Sequence, residues 1–394
     1  MMPSGTLPLA EAARLQQTPS FDLMLKPVGS RCNLGCSYCY YLGKAALYGG
    51  RQPRMSTEVL EAAVRSFLAA TEAPEPVFVW HGGEPLLAGM DFFERALELQ
   101  RRYSGGRPVR NAIQTNGTLL TPQWASFLAA NRFLAGISID GPKDLHERYR
   151  GSCLGKVLAG LKLLQDSGVE FNTLTTVNHA SEGRGKEVYA FLKEAGSRYM
   201  QFLPVVEYLS PGSNRPAPWS VSAEGFGRFM IDIFDEWVRH DVGEYFVQLF
   251  DSTLAAWCGQ NAAVCTLGRT CQPTAVVEHN GDVYACDHCV SASAKLGNVL
   301  QEPLQELMAL DSVTRFSLDK YARLPQRCLR CGYLPACNGE CPTHRDPQTG
   351  VSALCSGYRL FFDHTAPAFD KMRSLLSQGR APKEISVFFL SLMD

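Results

Sequence analysis

The chain has 394 residues, 45% hydrophobic and 20% charged, with 38 basic side chains against 39 acidic ones. That apolar share supplies a large core, and the near-neutral balance argues against a general nucleic-acid binder, which needs a basic surface to neutralise phosphates. No stretch approaches the roughly 20 continuous apolar residues that cross a bilayer, and the opening residues lack the basic and apolar regions of a secretory signal, so a cytoplasmic protein without a membrane partner is expected.

Residues 1–20 read as an N-terminal tail. From 21 to about 210 the pattern alternates strand and helix. Strands are expected at 21–28, 76–80, 112–117, 136–141, 170–177 and 200–206. Helical spacing occupies the intervals between them, beginning with STEVLEAAVRSFLAA, where Ser56 suits the N-cap and Glu58 the first turn. Six such strands with intervening helices predict an α/β fold with a parallel sheet, closed or partly closed. Ligands then bind at the carboxyl ends of the strands. Residues 208–220 read as a loop, and an amphipathic helix spans about 222–240. VVEHNGDVYAC reads as a hairpin turning at Asn280-Gly281. Beyond Trp257 cysteines become dense and helical periodicity weakens, which marks a second, smaller, metal-stapled unit.

The sequence holds 14 cysteines. In a reducing compartment these are not a disulfide framework, so metal, catalysis or burial must explain them. Cys32-x3-Cys36-x2-Cys39 follows the first strand. Three thiolates on one short loop hold three irons of a cubane and leave the fourth open; a structural zinc would want four ligands, and no fourth is nearby. HGGEP follows the second strand, QTNG the third and SIDG the fourth, so every suspicious cluster sits at a strand end. The later cysteines, Cys265, Cys271, Cys286, Cys328, Cys331, Cys337, Cys341 and Cys355, suffice for two fully ligated four-iron clusters or for zinc-ribbon sites, and sequence alone does not fix the metal. Cys153, Cys258 and Cys289 read as structural, although Cys289, three residues past Cys286, can compete as a ligand. Asp287 directly follows Cys286; it reads equally as a rigidly held general base or as a satisfied hairpin carboxylate.

The first cysteine motif, with aromatic Tyr38 before its third cysteine, resembles the signature of the radical SAM superfamily. His81-Gly82-Gly83-Glu84-Pro85 is similar to that family's GGE segment. The resemblance implies a partial (β/α)6 TIM-like barrel binding S-adenosylmethionine and a [4Fe-4S] cluster on Cys32, Cys36 and Cys39. Gly82 and Gly83 would let main chain approach the methionine part, and Glu84 would bind its ammonium. Tyr38 is carried as a further cofactor-site residue. Asn116 and Ser138 are placed for its carboxylate and ribose; Arg150 reads as a carboxylate partner or as part of a solvated helix face. The later cysteines resemble a SPASM domain. By that resemblance Cys265, Cys271, Cys286 and Cys341 hold one auxiliary cluster and Cys328, Cys331, Cys337 and Cys355 a second, making three [4Fe-4S] clusters. The implied organisation is a barrel over 21–245, a linker over 246–264, and a SPASM domain with a C-terminal helix over 265–394.

At subfamily level VWHGGEPLLAGMDFFERAL, NAIQTNGTLL, GISIDGPKDLHERYR, FDEWVRHDVGEYFVQLFD, VEHNGDVYACDH and CNGECPTHR resemble the anaerobic sulfatase-maturating enzymes. That resemblance implies oxidation of a Cys or Ser in a sulfatase C/S-x-P-x-R segment to Cα-formylglycine by a 5′-deoxyadenosyl radical. Asp287 would take the thiol or hydroxyl proton, its pKa raised by burial, while Tyr41, His81 and Gln201 line the substrate pocket; Tyr40 is an alternative to Tyr41. The implied partners are an unfolded sulfatase or peptide and an electron donor such as flavodoxin or ferredoxin, with the enzyme a monomer. Departures lie at Cys289, where the family more often carries an aromatic, and at GRTCQPTAV. A related enzyme that cross-links ribosomal peptides is the alternative; such enzymes often carry an N-terminal winged-helix domain, for which residues 1–20 are too short.

Overall fold

The computed structural model describes residues 21–48, 53–209 and 215–386. The expected tail at 1–20 lies outside the described residues, as do the middle of the 208–220 loop and the last residues of the C-terminal unit. Six parallel strands follow one another in space: β1 (Asp22–Leu25), β2 (Val77–Trp80), β3 (Arg110–Thr115), β4 (Phe133–Ser138), β5 (Phe171–Val177) and β6 (Tyr199–Pro204). Between and after them run α1 (Thr57–Ala70), α2 (Met90–Tyr103), α3 (Pro122–Ala130), α4 (Lys143–Arg150), α5 (Leu154–Asp166), α6 (Gly185–Glu194) and α7 (Ala223–His240). Ser56 caps α1 as its position predicts, its hydroxyl accepting from the Val59 N–H at 3.2 Å. The expected strand at 136–141 begins three residues earlier, and α4, which contains HERYR, was not foreseen as a separate helix.

The period of two in each strand divides the sheet into two faces. Leu25, Phe78, Trp80, Ile113, Ile137 and Phe202 point one way, fully or nearly fully buried against the helices. Phe78 meets Phe67 of α1 edge-on at 5.1 Å, and Trp80 meets Phe93 of α2 at 5.4 Å. The strand register places Met24, Val79, Ala112, Gly136, Leu174 and Gln201 on the opposite face. This second face lines the concave side, where strand ends and loops converge.

The sheet does not stop at the barrel. Among the described residues it has ten strands in the order β10-β9-β8-β1-β2-β3-β4-β5-β6-β7, β10 being Gly297–Asn298. β8 (Thr274–Val277) pairs in parallel with β1, and β9 (Asp282–Tyr284) folds back on it through the predicted Asn280-Gly281 turn, where Gly281 has φ 90°. The hairpin thus covers the free edge of β1, an edge that would otherwise leave main-chain groups unpaired. Of the stretch 246–264, read as a linker, β7 (Phe246–Val247) and α8 (Gln248–Trp257) are regular structure; Phe250 and Trp257 are buried in the main core. The C-terminal unit ends in a 23-residue helix, α9 (Cys355–Ser377), which packs along α7. Among the described residues no helix is long and apolar enough to cross a membrane.

The α7–α9 crossing is closest at Gly227 and Gly357, where a Cβ on Gly357 would overlap the Ala223 carbonyl oxygen. Gly357→Ala therefore costs about 1–3 kcal/mol by overpacking. In thermal unfolding followed by circular dichroism we expect a midpoint several degrees lower, whereas Gly155→Ala, facing open space at the start of α5, leaves the midpoint unchanged.

Candidate active site

The cysteine loop leaves β1 and is fastened on three sides. Gly83 N donates to Gly29 O at 2.8 Å and Glu84 N to Arg31 O at 2.9 Å, so the HGGEP turn lies directly against the loop's main chain. Gly82 has φ 120°, and a Cβ on Gly83 would overlap the Arg31 carbonyl. The two glycines are thus required by the close contact between the two loops. On the α4 side Ser37 N bonds to Tyr149 O at 3.0 Å. On the β3 side Asn116 Nδ2 reaches Asn33 Oδ1 at 2.9 Å and Cys32 Sγ at 3.7 Å, and Leu34 N reaches the same sulfur at 3.4 Å.

These contacts crowd Cys32, Cys36 and Cys39 onto one half-buried loop, all three as free thiols. Burial pushes Cys36 up to about 11, with a smaller push from Cys39 and an opposing pull from Arg150; Cys32 is raised by burial too. Three thiols on one loop, with N–H donors already aimed at Cys32, are a donor set that suits an iron–sulfur cluster.

Glu84 does not present its carboxylate to the cavity. It is 0% exposed and accepts from Asn116 N at 2.8 Å, Thr115 Oγ1 at 2.8 Å and Leu86 N at 3.1 Å. Burial raises its pKa to about 7 against the pull of those donors. The expectation that it grips an ammonium directly is corrected: both oxygens are spent joining the ends of β2 and β3. Arg150 is likewise committed, and not on a solvated face. It is buried, with Nε 2.8 Å and Nη2 3.0 Å from the two oxygens of Asp140. Burial would raise Asp140, but Arg150 holds it below its usual value. Asp140 also accepts from the Tyr38 hydroxyl and from Thr176 Oγ1 at 2.8 Å. Sequence reasoning passed over Asp140, although it directly follows the SI of SIDG.

Ser138 lies at the end of β4 and accepts from Gln114 Nε2 at 3.2 Å, bridging two strand ends on the concave face. Gln201 is half-buried on that face, in register with Leu174.

One step beyond the paired strands, the register sets Glu278, Lys26 and His81 side by side on the same face. The Lys26 side chain is 0% exposed. Its Nζ lies 3.0 Å from His81 Nδ1, 3.5 Å from Asp287 Oδ2 and 4.4 Å above the Tyr41 ring. Tyr40 donates to the same Asp287 oxygen at 2.6 Å and stacks on His288 at 4.6 Å. Burial would raise Asp287, but Lys26, His288, His81 and the Tyr40 hydroxyl together hold it well below the carboxylate range. The expectation of a raised pKa is therefore corrected; a buried cation outweighs burial itself. Tyr41 is 2% exposed and donates to buried Glu278. It is closed off from the cavity, and of the two tyrosines Tyr40 is the one that touches Asp287.

In the C-terminal unit Cys265, Cys271, Cys286 and Cys341 stand close enough for their charges to disfavour one another, with burial pushing Cys271 up to about 12 and Cys341 to about 11. Cys289 joins this group: its main-chain N–H donates to Cys286 O at 3.1 Å, and its thiol senses Cys286, Cys341 and Cys271. Cys328, Cys331, Cys337 and Cys355 together line a cavity of about 260 Å³, walled by Tyr333, Leu334 and Tyr358 among others. The resemblance expects the first four and the last four of these as ligand sets, with Cys289 outside them as a structural thiol; the structure sets Cys289 beside the first group. Cys153 instead packs on His146, Sγ to Nε2 at 3.4 Å, and Cys258 caps α8.

Because the four cysteines of that cavity share one space, Cys355→Ala should lower iron by about four per chain, while Cys258→Ala should leave it at the wild-type value. Iron and acid-labile sulfide assays on anaerobically reconstituted protein read both outcomes.

Comparison with known proteins agrees with this architecture. The family model of the radical SAM superfamily matches residues 27–199, and that of the SPASM iron–sulfur cluster-binding domain matches 265–332. A serine-type anaerobic sulfatase-maturating enzyme of Bacteroides thetaiotaomicron is 43% identical over 387 residues, covering 92% of this chain and 94% of that one. A cysteine-type enzyme of Clostridium perfringens is 31% identical, covering 89% and 97%. The solved structure of native anSMEcpe with bound AdoMet and Cp18Cys peptide superposes with a TM-score of 0.81 at 30% identity, covering 90% of this chain and 99% of that one. The chain belongs to the anaerobic sulfatase-maturating enzymes of the radical SAM superfamily, with a C-terminal SPASM domain.

Proposed function

We propose that this chain oxidises a serine or cysteine in a C/S-x-P-x-R segment of a sulfatase to Cα-formylglycine, with Asp287 as the base. The observation that carries the reading is the position of Asp287. It directly follows cluster cysteine Cys286, is held ionised by Lys26, and lies on the concave side of the barrel, joined to the cysteine loop through Tyr40. A base must be deprotonated before it can act, and the Lys26 ammonium beside Asp287 favours the carboxylate form.

The residues fit the groups the family requires. Cys32, Cys36 and Cys39 would hold the first [4Fe-4S] cluster. Asn116, Ser138, Arg150 and the main chain of the His81–Glu84 turn would surround S-adenosylmethionine. Cys265, Cys271, Cys286 and Cys341 would hold one auxiliary cluster, and Cys328, Cys331, Cys337 and Cys355 the other. When bound, these groups supply a hydrogen-abstracting radical and a sink for the remaining electron. The protein's own work is to place the target Cβ, exclude water and take the proton at Asp287 Oδ2. Gln201 and His81, both on the concave face, would line the cavity that takes the peptide. We assign the enzyme to the cytoplasm as a monomer, with an unfolded sulfatase segment as substrate and a flavodoxin or ferredoxin as electron donor.

The test uses anaerobically reconstituted enzyme with reductant, S-adenosylmethionine and paired peptides carrying SxPxR or CxPxR. Aldehyde on either peptide, seen as its mass change, together with 5′-deoxyadenosine supports the reading. Cofactor cleavage with both peptides unchanged overturns it. Asp287→Asn should slow aldehyde formation by about 10²–10⁴-fold while 5′-deoxyadenosine still forms; an unaltered aldehyde rate would remove Asp287 as the base.

A further inference from the structure

The geometry around His81 fixes which of its nitrogens carries hydrogen. Nδ1 lies 2.7 Å from the Gly82 main-chain nitrogen and 3.0 Å from Lys26 Nζ. A main-chain N–H can only donate, so Nδ1 is an acceptor and the hydrogen of the neutral ring sits on Nε2. Burial, aided by the Lys26 charge, pulls His81 down to about 3, so the ring stays neutral across the working range. Among the described residues no protein group takes a hydrogen bond from Nε2. Lys26 meanwhile touches Asp287 Oδ2 at 3.5 Å. One ammonium thus holds two groups of opposite hydrogen-bonding sense on the same face, a carboxylate that accepts and an imidazole that donates.

We infer that His81 Nε2–H donates to the heteroatom of the target side chain while Asp287 accepts from it, with Lys26 as the positioning residue, and that this pair makes the site selective for serine over cysteine. The inference rests on the proposed maturase reading and adds the residues that discriminate the target. A hydroxyl satisfies both partners at once, because its oxygen is a full acceptor as well as a donor; a thiol sulfur is a weak acceptor. Oxidation of CH2OH to the aldehyde removes three things. A hydrogen atom leaves Cβ for the radical derived from S-adenosylmethionine, the hydroxyl proton goes to Asp287, and one electron goes to an auxiliary cluster. Negative charge gathers on the oxygen as its proton leaves, and a fixed N–H aimed at that atom stabilises it in the way of an oxyanion donor. On the larger sulfur of a cysteine the same donor gains less.

The experiment compares kcat/KM for matched SxPxR and CxPxR peptides. His81→Phe should lower the serine value by about 100-fold and the cysteine value by about tenfold at most, while His81→Gln, which keeps an N–H donor, restores most of the serine rate. Lys26→Met should lower the serine-to-cysteine ratio through kcat, with the KM of the serine peptide unchanged; a merely structural loss would move both peptides together. A second readout needs no turnover. By fluorescence anisotropy the holoenzyme should bind SxPxR more tightly than AxPxR, and His81→Phe should bind the two equally.

Equal losses on both peptides, or a Gln variant no better than Phe, overturn the inference even if the wild type makes formylglycine. If the wild type oxidises neither peptide, the maturase reading fails by itself; absence of a serine preference in binding overturns the His81 assignment separately. Iron content equal to wild type is the folding control, and His81→Leu carries the same comparison if the Phe variant does not load iron.

Discussion

The ammonium of Lys26 is removed from water, and the site is arranged around the need to offset that cost. Burying one such ion costs several kcal/mol even after relaxation, and a neighbour of opposite charge must lie within a few ångströms to compensate. The anions come from the C-terminal unit. Asp287 reaches the ammonium at 3.5 Å, and Glu278 occupies the next register position across β8. Barrel and C-terminal unit are therefore joined twice along one line, by the β1–β8 ladder and by charge at its end. A substitution that removes Lys26 would strand two carboxylates in a buried setting, a larger disturbance than the loss of one hydrogen bond.

The cysteine loop is tied to that arrangement by its tyrosines. Within Cys36-Ser37-Tyr38-Cys39-Tyr40-Tyr41 the three hydroxyls donate to three different carboxylates: Tyr38 to Asp140, Tyr40 to Asp287 and Tyr41 to Glu278. Hydrogen bonds to charged acceptors contribute about 1.5–3 kcal/mol each. They also point in different directions, Asp140 being held by Arg150 from α4 and Asp287 by Lys26 just past β1. A loop with three metal-ligating thiols and few apolar side chains has no core of its own to fix it. These three bonds, with the glycine contact to the HGGEP turn, supply that rigidity.

Much of this was legible in the sequence. Strand–helix alternation, Ser56 as a cap, the Asn280-Gly281 turn and the placing of each motif at a strand end follow from local periodicity and turn chemistry. The two sets of late cysteines were legible only through family resemblance, because nothing in their spacing says which thiols meet. What sequence did not show were the partners of buried charges. Lys26 is a lone lysine closing an apolar strand, and only its register beside His81 and Glu278 gives it meaning; that register needs β8, which lies some 250 residues away, to pair with β1. The same blindness misassigned Glu84, which belongs to a cofactor motif, yet contacts with Asn116, Thr115 and Leu86 had already taken up both its oxygens, and it hid the pairing of Arg150 with Asp140. For Asp287 the direction of the pKa depended on a cation from the other end of the chain.

The adjacency of Cys286 and Asp287 gives the site a balance of charge that neither residue would have alone. On the proposed reaction Asp287 becomes neutral when it accepts the substrate proton, which removes a negative charge 3.5 Å from Lys26. Cys286 would be a ligand of the auxiliary cluster, which when bound would supply a sink for an electron one residue from Asp287. Lys26 would then feel the loss of charge on Asp287 and the gain of charge beside it together, so that the low-dielectric pocket would have less separated charge to accommodate. That position explains why a cation is retained in a pocket where burial alone would disfavour it.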